Sequence, residues 1–131
     1  MLPKRRRRKR FGIREETRVR SYAHKKWVRG HECAIKHKSE KTDGEKYVGF
    51  KRHDCIGPIQ SAHVRCGTDG AGNIDPSDCF TIPLCVGGHR CQHDLGEPEF
   101  ERRYGIDMRK IADALWARSP ARAKIEREKA K

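Results

Sequence analysis

The stretch PLCVGGHRCQH, residues 83–93, changes character in its middle. Pro83 and Leu84 close a β-compatible run, FTIPL, that begins at Phe80 and leads into Cys85; Gly87 and Gly88 then break the chain; His89 and His93 follow, four residues apart. Residues at that spacing share one helical face, so the stretch reads as strand, break and helix, with two imidazoles projecting together. Such a pair is a natural bidentate clamp for a metal ion. Whether the metal would be structural or chemical depends on what stands around it.

Upstream, IQSAHVR (59–65) is a second β-compatible segment, separated from FTIPL (80–84) by CGTDGAGNIDPSDC (66–79). That spacer is dense in Gly, Asp, Asn and Pro and is excluded from regular structure. The order is therefore strand, long loop, strand, helix. A hairpin crossed by a helix can aim His63, His89 and His93 at one point.

Farther upstream, SYAHKKWVRG (21–30) predicts a short amphipathic helix capped by Ser21 and stopped at Gly30, with Ala23, Trp27 and Val28 apolar and Trp27 in the core. Residues 36–54 are mostly charged and read as a surface excursion, with an apolar island at Tyr47, Val48 and Phe50 and a hairpin turn at Asp43-Gly44. Downstream, Gly96 ends the histidine helix and another runs from about Glu97 to a break at Gly105. A further helix, capped by Asp107, carries Ile111, Leu115 and Trp116 on one face and stops before Pro120. The fold class is α+β, with an arm over residues 1–20, a domain over 21–118 and a charged, helix-prone tail over 119–131.

With 131 residues the chain holds one compact domain and its tails. Only 34% of residues are hydrophobic and 37% are charged, so the core is small and an internal staple would help it fold. A formal charge of +13 attracts polyanions and releases their counterions on binding, which puts nucleic acid first among partners. An anionic membrane surface and a purely solubilising excess are the alternatives. The run Lys4, Arg5, Arg6, Arg7, Arg8, Lys9 and Arg10 has no apolar neighbour within it and reads as a disordered arm contacting phosphates; a solvated tail and a nuclear-localisation signal fit the same run. No apolar run approaches the roughly 20 residues of a membrane span, and no hydrophobic region follows the basic block, so a cytoplasmic address is expected.

Six cysteines, at 33, 55, 66, 79, 85 and 91, are interleaved with seven histidines. The mixture reads as metal ligation in a reducing compartment rather than a disulfide frame. His24, His31, His37 and His53 read as surface or satisfied core residues, whereas His63, His89 and His93 stand where loop chemistry and spacing favour a site.

The run from Ser61 to Asp107 resembles the HNH nuclease superfamily with its ββα-metal fold, and within it the small phage and bacterial branch of Ref-like recombination nucleases. The matching elements are AHVR (62–65), GTDG (67–70), PSD (76–78), PLC (83–85), the HxxxH helix start (89–93) and GID (105–107). The resemblance runs from about Ser21 to Pro120. It implies a DNA endonuclease of low sequence specificity in a bacterial or phage-infected cell, with a recombinase or other DNA-processing protein as a further partner. His63 would be the general base that deprotonates water, since an imidazole titrating near neutrality suits that task. His89 and His93 would hold one divalent cation, Mg²⁺, Mn²⁺ or Zn²⁺, that neutralises phosphate charge and stabilises the leaving oxygen. Asp78, or less readily Asn73, would orient His63, and Arg65 would grip a phosphate oxygen.

The chain departs from that family twice. Many relatives carry a further ligand just before the base, where this chain has Ala62, so the third ligand is water, Asp78 or another loop carboxylate, or else His63 itself ligates. Relatives also build a four-ligand structural zinc site, for which Cys33, Cys55 and Cys85 occupy three places while the fourth falls on Gly88. Cys91 or a nearby His would complete it; otherwise zinc is absent and the cysteines pack as small apolar residues. Cys66 and Cys79 acquire no role. The competing function is a non-catalytic, zinc-stabilised DNA-binding accessory protein. An RNA-binding protein would lean on exposed aromatics, whereas Trp27, Phe80 and Trp116 read as buried.

Overall fold

The computed structural model describes residues 18–36, 38 and 53–130. The basic run from Lys4 to Arg10 and the island at Tyr47, Val48 and Phe50, with its turn at Asp43-Gly44, lie outside them. Among the described residues the chain is α+β, with five helices and one two-stranded antiparallel sheet.

Helix α1 (Tyr22–Arg29) forms as its caps dictate: the Ser21 hydroxyl accepts from the His24 amide, and the Gly30 N–H closes onto the carbonyls of Trp27 and Val28. Its buried face differs from the expected one. His24 and Val28, one turn apart, are fully buried, while Ala23 is exposed and Trp27 only half-buried. His24 takes the core position because its polar ring is bonded there, Nδ1 lying 2.7 Å from Ser119 Oγ, with Trp116 edge-on at 4.9 Å. His24 is thus a core residue rather than a surface one, bonded through Nδ1 alone, since its buried Nε2 has no hydrogen-bond partner among the described residues.

Strand β1 (Ile59–His63) pairs antiparallel with β2 (Thr81–Cys85), in a register that sets His63 opposite Thr81 and Ile59 opposite Cys85. All five residues of β2 are buried. The reason is that helices α1, α2 (Val86–Leu95) and α4 (Met108–Arg118) all pack on it. Pro83 fits this strand because its carbonyl points to the open edge, accepting from Ala34 N–H at 2.7 Å; the missing proline N–H points the same way.

Helix α2 starts at Val86 with Cys85 as its N-cap, one residue before the Gly87-Gly88 pair expected to precede it. Gly96 (φ +80°) ends it and opens α3 (Glu97–Tyr104), which closes at Gly105 in the left-handed region (φ +64°). Asp107 caps α4 by accepting from Lys110 N–H. The buried stripe of α4 is Met108, Ala112 and Leu115; Ile111 sits at its edge and Trp116 is half-buried, so the apolar face is turned from the one expected. Phe100 and Tyr104 of α3 join that stripe against Ala62, Val64, Ile82 and Leu84.

Pro120 does more than stop α4, because it opens a fifth helix, α5 (Pro120–Lys129). No residue of α5 is buried, consistent with its solvated composition. At the other end, residues 18–20 belong to the folded body rather than to an arm: Arg18 is 5% exposed and donates to the Asp69 carbonyl, while Val19 donates its N–H to the Ser77 hydroxyl and accepts from the Asp78 amide at its carbonyl. No helix of the described residues is long and apolar enough to cross a membrane.

Candidate functional site

His63 stands at the C-terminal end of β1, where the sheet gives way to the polar loop. Its Nε2–H donates to Oδ1 of Asp78 at 3.0 Å, and its backbone carbonyl accepts from the amide of Gln92 on α2 at 3.3 Å. Asp78 lies three residues before β2, with only 4% of its side chain exposed. Burial alone would raise its pKa. The hydrogen bonds from His63 and from the Ser21 amide (2.7 Å), with the charge of Lys25, outweigh burial and hold the carboxyl below its usual range. Asp78 is thus a fixed anion, and its two oxygens are engaged by His63 and Ser21. The contact puts Asp78, rather than Asn73, against the His63 ring.

On α2, His89 donates through Nδ1–H to Gln60 Oε1 at 2.7 Å. This fixes the tautomer that leaves the Nε2 lone pair available. That Nε2 lies 3.1 Å from Nε2 of His93. Two nitrogens at this separation suit one coordination shell: bonds of about 2.1 Å to a common ion would meet at roughly 95°, close to the octahedral angle. Burial, then the neighbouring rings of His93 and His63, lower the pKa of His89 and favour the neutral imidazole that a metal needs.

His63, His89, His93, Gln92 and Arg65 line one cavity of about 520 Å³ together with Asp75 and Glu97. Glu97 is occupied structurally, for its carboxylate accepts from the backbone amides of Arg65 and Cys66 at 2.8–3.0 Å. Arg65 itself braces the loop, donating to the Gly72 carbonyl at 2.7 Å and pairing with Asp75 at 3.4 Å, with the guanidinium still exposed at the cavity. Asn73 is exposed and lines a neighbouring cavity instead.

A second cluster lies at the other end of the hairpin. Donor atoms of Cys33, His53, Cys55 and Cys85 all fall within 4.8 Å of one another, and among the described residues this is the one group of three or more such donors drawn so close. The cluster could therefore hold a metal ion. The fourth donor is His53, read in the sequence as an ordinary histidine, although a nearby histidine is one of the two ways allowed for completing the set. It comes from two residues before Cys55 and brings Nε2 to 3.2 Å from Cys85 Sγ and 4.0 Å from Cys33 Sγ.

Gly88 is not a missing ligand. Its N–H donates to Cys85 Sγ at 3.2 Å, and a β-carbon there would meet Ile35 at 3.2 Å, so the position is filled by close packing. Cys91 does not complete the set either, since its sulfur faces the Tyr104 hydroxyl at 3.9 Å. The electrostatics suit a cation. Burial pushes the Cys33 thiol up, and burial with the adjacent sulfurs pushes Cys55 up to about 12. Cys85 is also burdened by burial, yet amide bonds from Gly88 and Ile56 bring it below its ordinary value. Three crowded sulfurs cannot all ionise by themselves; a bound dication would make them do so.

Gln60, Gln92 and Glu97 went unrecognised in the sequence because each acts through a tertiary contact. His53 carried a readable signal, the His-Asp-Cys spacing of residues 53–55. No family model matches the chain, and no curated protein or solved structure matches it.

Proposed function

We propose that this protein is a metal-dependent endonuclease that hydrolyses DNA phosphodiester bonds on a ββα-metal core of the HNH type. The observation that carries the reading is the meeting of two devices on one cavity: His63 fixed by a buried carboxylate, and the converged Nε2 atoms of His89 and His93.

With Nε2–H committed to Asp78, Nδ1 of His63 carries the lone pair that takes a proton from the attacking water. The water oxygen bonds to phosphorus as the bond to the leaving oxygen breaks, and Asp78 stabilises the imidazolium that forms. A Mg²⁺ or Mn²⁺ ion held by His89 and His93, or a Zn²⁺ ion, would supply charge neutralisation at the phosphate and leaving oxygen. Arg65, exposed at the same cavity, adds a cation for a phosphate oxygen. The formal charge of +13, including Lys4–Arg10, supplies affinity for the backbone without reading sequence. Zinc fits the Cys33, His53, Cys55 and Cys85 cluster best, three thiolates and an imidazole being an ordinary structural zinc set.

Incubation with supercoiled and single-stranded DNA plus Mg²⁺ or Mn²⁺ tests the reading. The expected result is nicking by the parent protein and a loss of about 10²–10⁴-fold in His63→Ala and His89→Ala. An inactive parent, or a His63→Ala variant that cuts equally well, overturns it. The Cys₃His cluster would stabilise the fold with or without catalysis, so it fits the second reading, a DNA-binding accessory protein, equally well. That reading predicts DNA binding with no cleavage in any metal.

A further inference from the structure

A second cavity, of about 290 Å³, lies beside the first and shares His63 and Asp75 with it. Its other lining residues are Arg20, Lys25, Asn73, Ile74 and Asp78. We infer that this cavity seats a phosphate of the bound strand next to the one being cut, with Arg20 and Lys25 as its cationic walls and the Asn73 amide beside them. The inference rests on the nuclease reading for the identity of its ligand.

Three features support a phosphodiester oxygen here. Arg20 is preorganised, because its guanidinium donates to the carbonyls of Asp75 (2.9 Å) and Pro76 (2.6 Å) and stands 3.5 Å from Asp78. Two neutral carbonyls hold the guanidinium in place at the cavity wall, beside the Asp78 carboxylate. Lys25 stands 3.9 Å from Asp78 Oδ2, beyond hydrogen-bond reach, and that oxygen already accepts from Ser21 N–H at 2.7 Å. The ammonium therefore pairs with Asp78 by charge without a close hydrogen bond, which leaves its N–H donors for a nearer oxygen. The remaining carboxylate on the wall, Asp75, pairs with Arg65 at 3.4 Å.

The two cavities meet at His63 and Asp75, so a strand with one phosphate at the His89–His93 pair can lay a neighbouring phosphate past His63. Arg20 and Lys25 offer two cations on that course, Arg20 just before α1 and Lys25 within it.

The test measures binding of a short oligothymidylate to the full chain across a salt series, for the parent, Lys25→Gln, Lys25→Arg and Lys26→Gln. Lys26 is the adjacent, exposed lysine that does not line the cavity. Lys25→Gln should weaken binding about tenfold and flatten the slope of log affinity against log salt by about 0.7. Lys25→Arg should keep parental affinity, and Lys26→Gln should leave the slope unchanged. If Lys25→Gln and Lys26→Gln behave alike, the seat is overturned. Where the parent cuts DNA, the Lys25→Gln loss should appear in KM; a loss confined to kcat overturns the seat and places Lys25 behind Asp78 instead. A parent that binds and never cuts sinks the nuclease reading while leaving this binding test decisive.

Discussion

Nε2 of His63 and Oδ1 of Asp78 lie 3.0 Å apart, and the carboxylate is buried while the imidazole opens on two cavities. A buried anion behind an accessible imidazole sets its tautomer and stabilises its protonated form. Asp78→Asn keeps the shape but removes that charge, and its amide can present a donor where an acceptor is needed. On the nuclease proposal, cleavage should fall by about 10²-fold or more with DNA binding little changed, as read from single-turnover rates beside binding isotherms. Equal turnover in Asp78→Asn would remove Asp78 from the proposed mechanism.

The same carboxylate ties stability to pH. Asp69 and Asp78 are both burdened by burial, yet their bonds bring each pKa below the unfolded value: Ser77 and the Arg18 charge for Asp69, His63, Ser21 and Lys25 for Asp78. A depressed folded-state pKa means stability that is fully present above about pH 5 and lost as pH falls through the lowered values. Thermal melts from neutrality to acid should show that decline, and Asp69→Asn with Asp78→Asn should flatten it while lowering the neutral melting temperature. A decline of unchanged steepness in the double variant would assign acid sensitivity elsewhere.

The parts of this fold that were legible in the sequence are those decided locally. Ser21, Gly96, Gly105 and Asp107 mark helix ends through bonds within one turn, and the spacing of His89 and His93 shows that they share a face. What was illegible depends on tertiary approach. Position 24 could hold a histidine in the core only because Ser119, 95 residues away, supplies its partner. Residues 18–20 read as arm because their charges are visible and their carbonyl partners in the 69–78 loop are not. The resemblance placed the structural ligands by position in a pattern, which led to Gly88; the chain meets the need from His53, on the other side of the cluster.

His53 therefore provides a sharp test of the cluster. Purified protein should carry zinc in a one-to-one ratio through this site, and a strong chelator should lower the melting temperature. His53→Ala should weaken zinc retention, while Cys91→Ser should leave it unchanged because Cys91 faces Tyr104. Equal zinc content and melting temperature in His53→Ala and the parent would remove His53 from the ligand set. The stabilisation follows from linkage, since a metal that binds only the folded chain adds about 4 kcal/mol at a thousandfold excess over its dissociation constant.

Gln60 makes the corresponding case for the histidine pair. Its Oε1 accepts from Nδ1 of His89, so Gln60→Leu removes the partner that keeps the His89 proton on Nδ1 and frees Nε2. The residue is half-buried on β1, and leucine preserves most of its bulk, so the fold should tolerate the change with a loss on the order of 1 kcal/mol. Affinity for Mn²⁺ should drop about 10–100-fold, the usual cost of deleting a bond that orients a ligating imidazole. Titrating Mn²⁺ against the parent and Gln60→Leu, by its paramagnetic broadening of the His89 and His93 ring signals, reads this without any cleavage assay. If both rings broaden at the same concentration in both proteins, the Gln60 contact does not tune the pair. If neither ring broadens in the parent, the pair is not a metal seat, and the nuclease reading loses the observation that carries it.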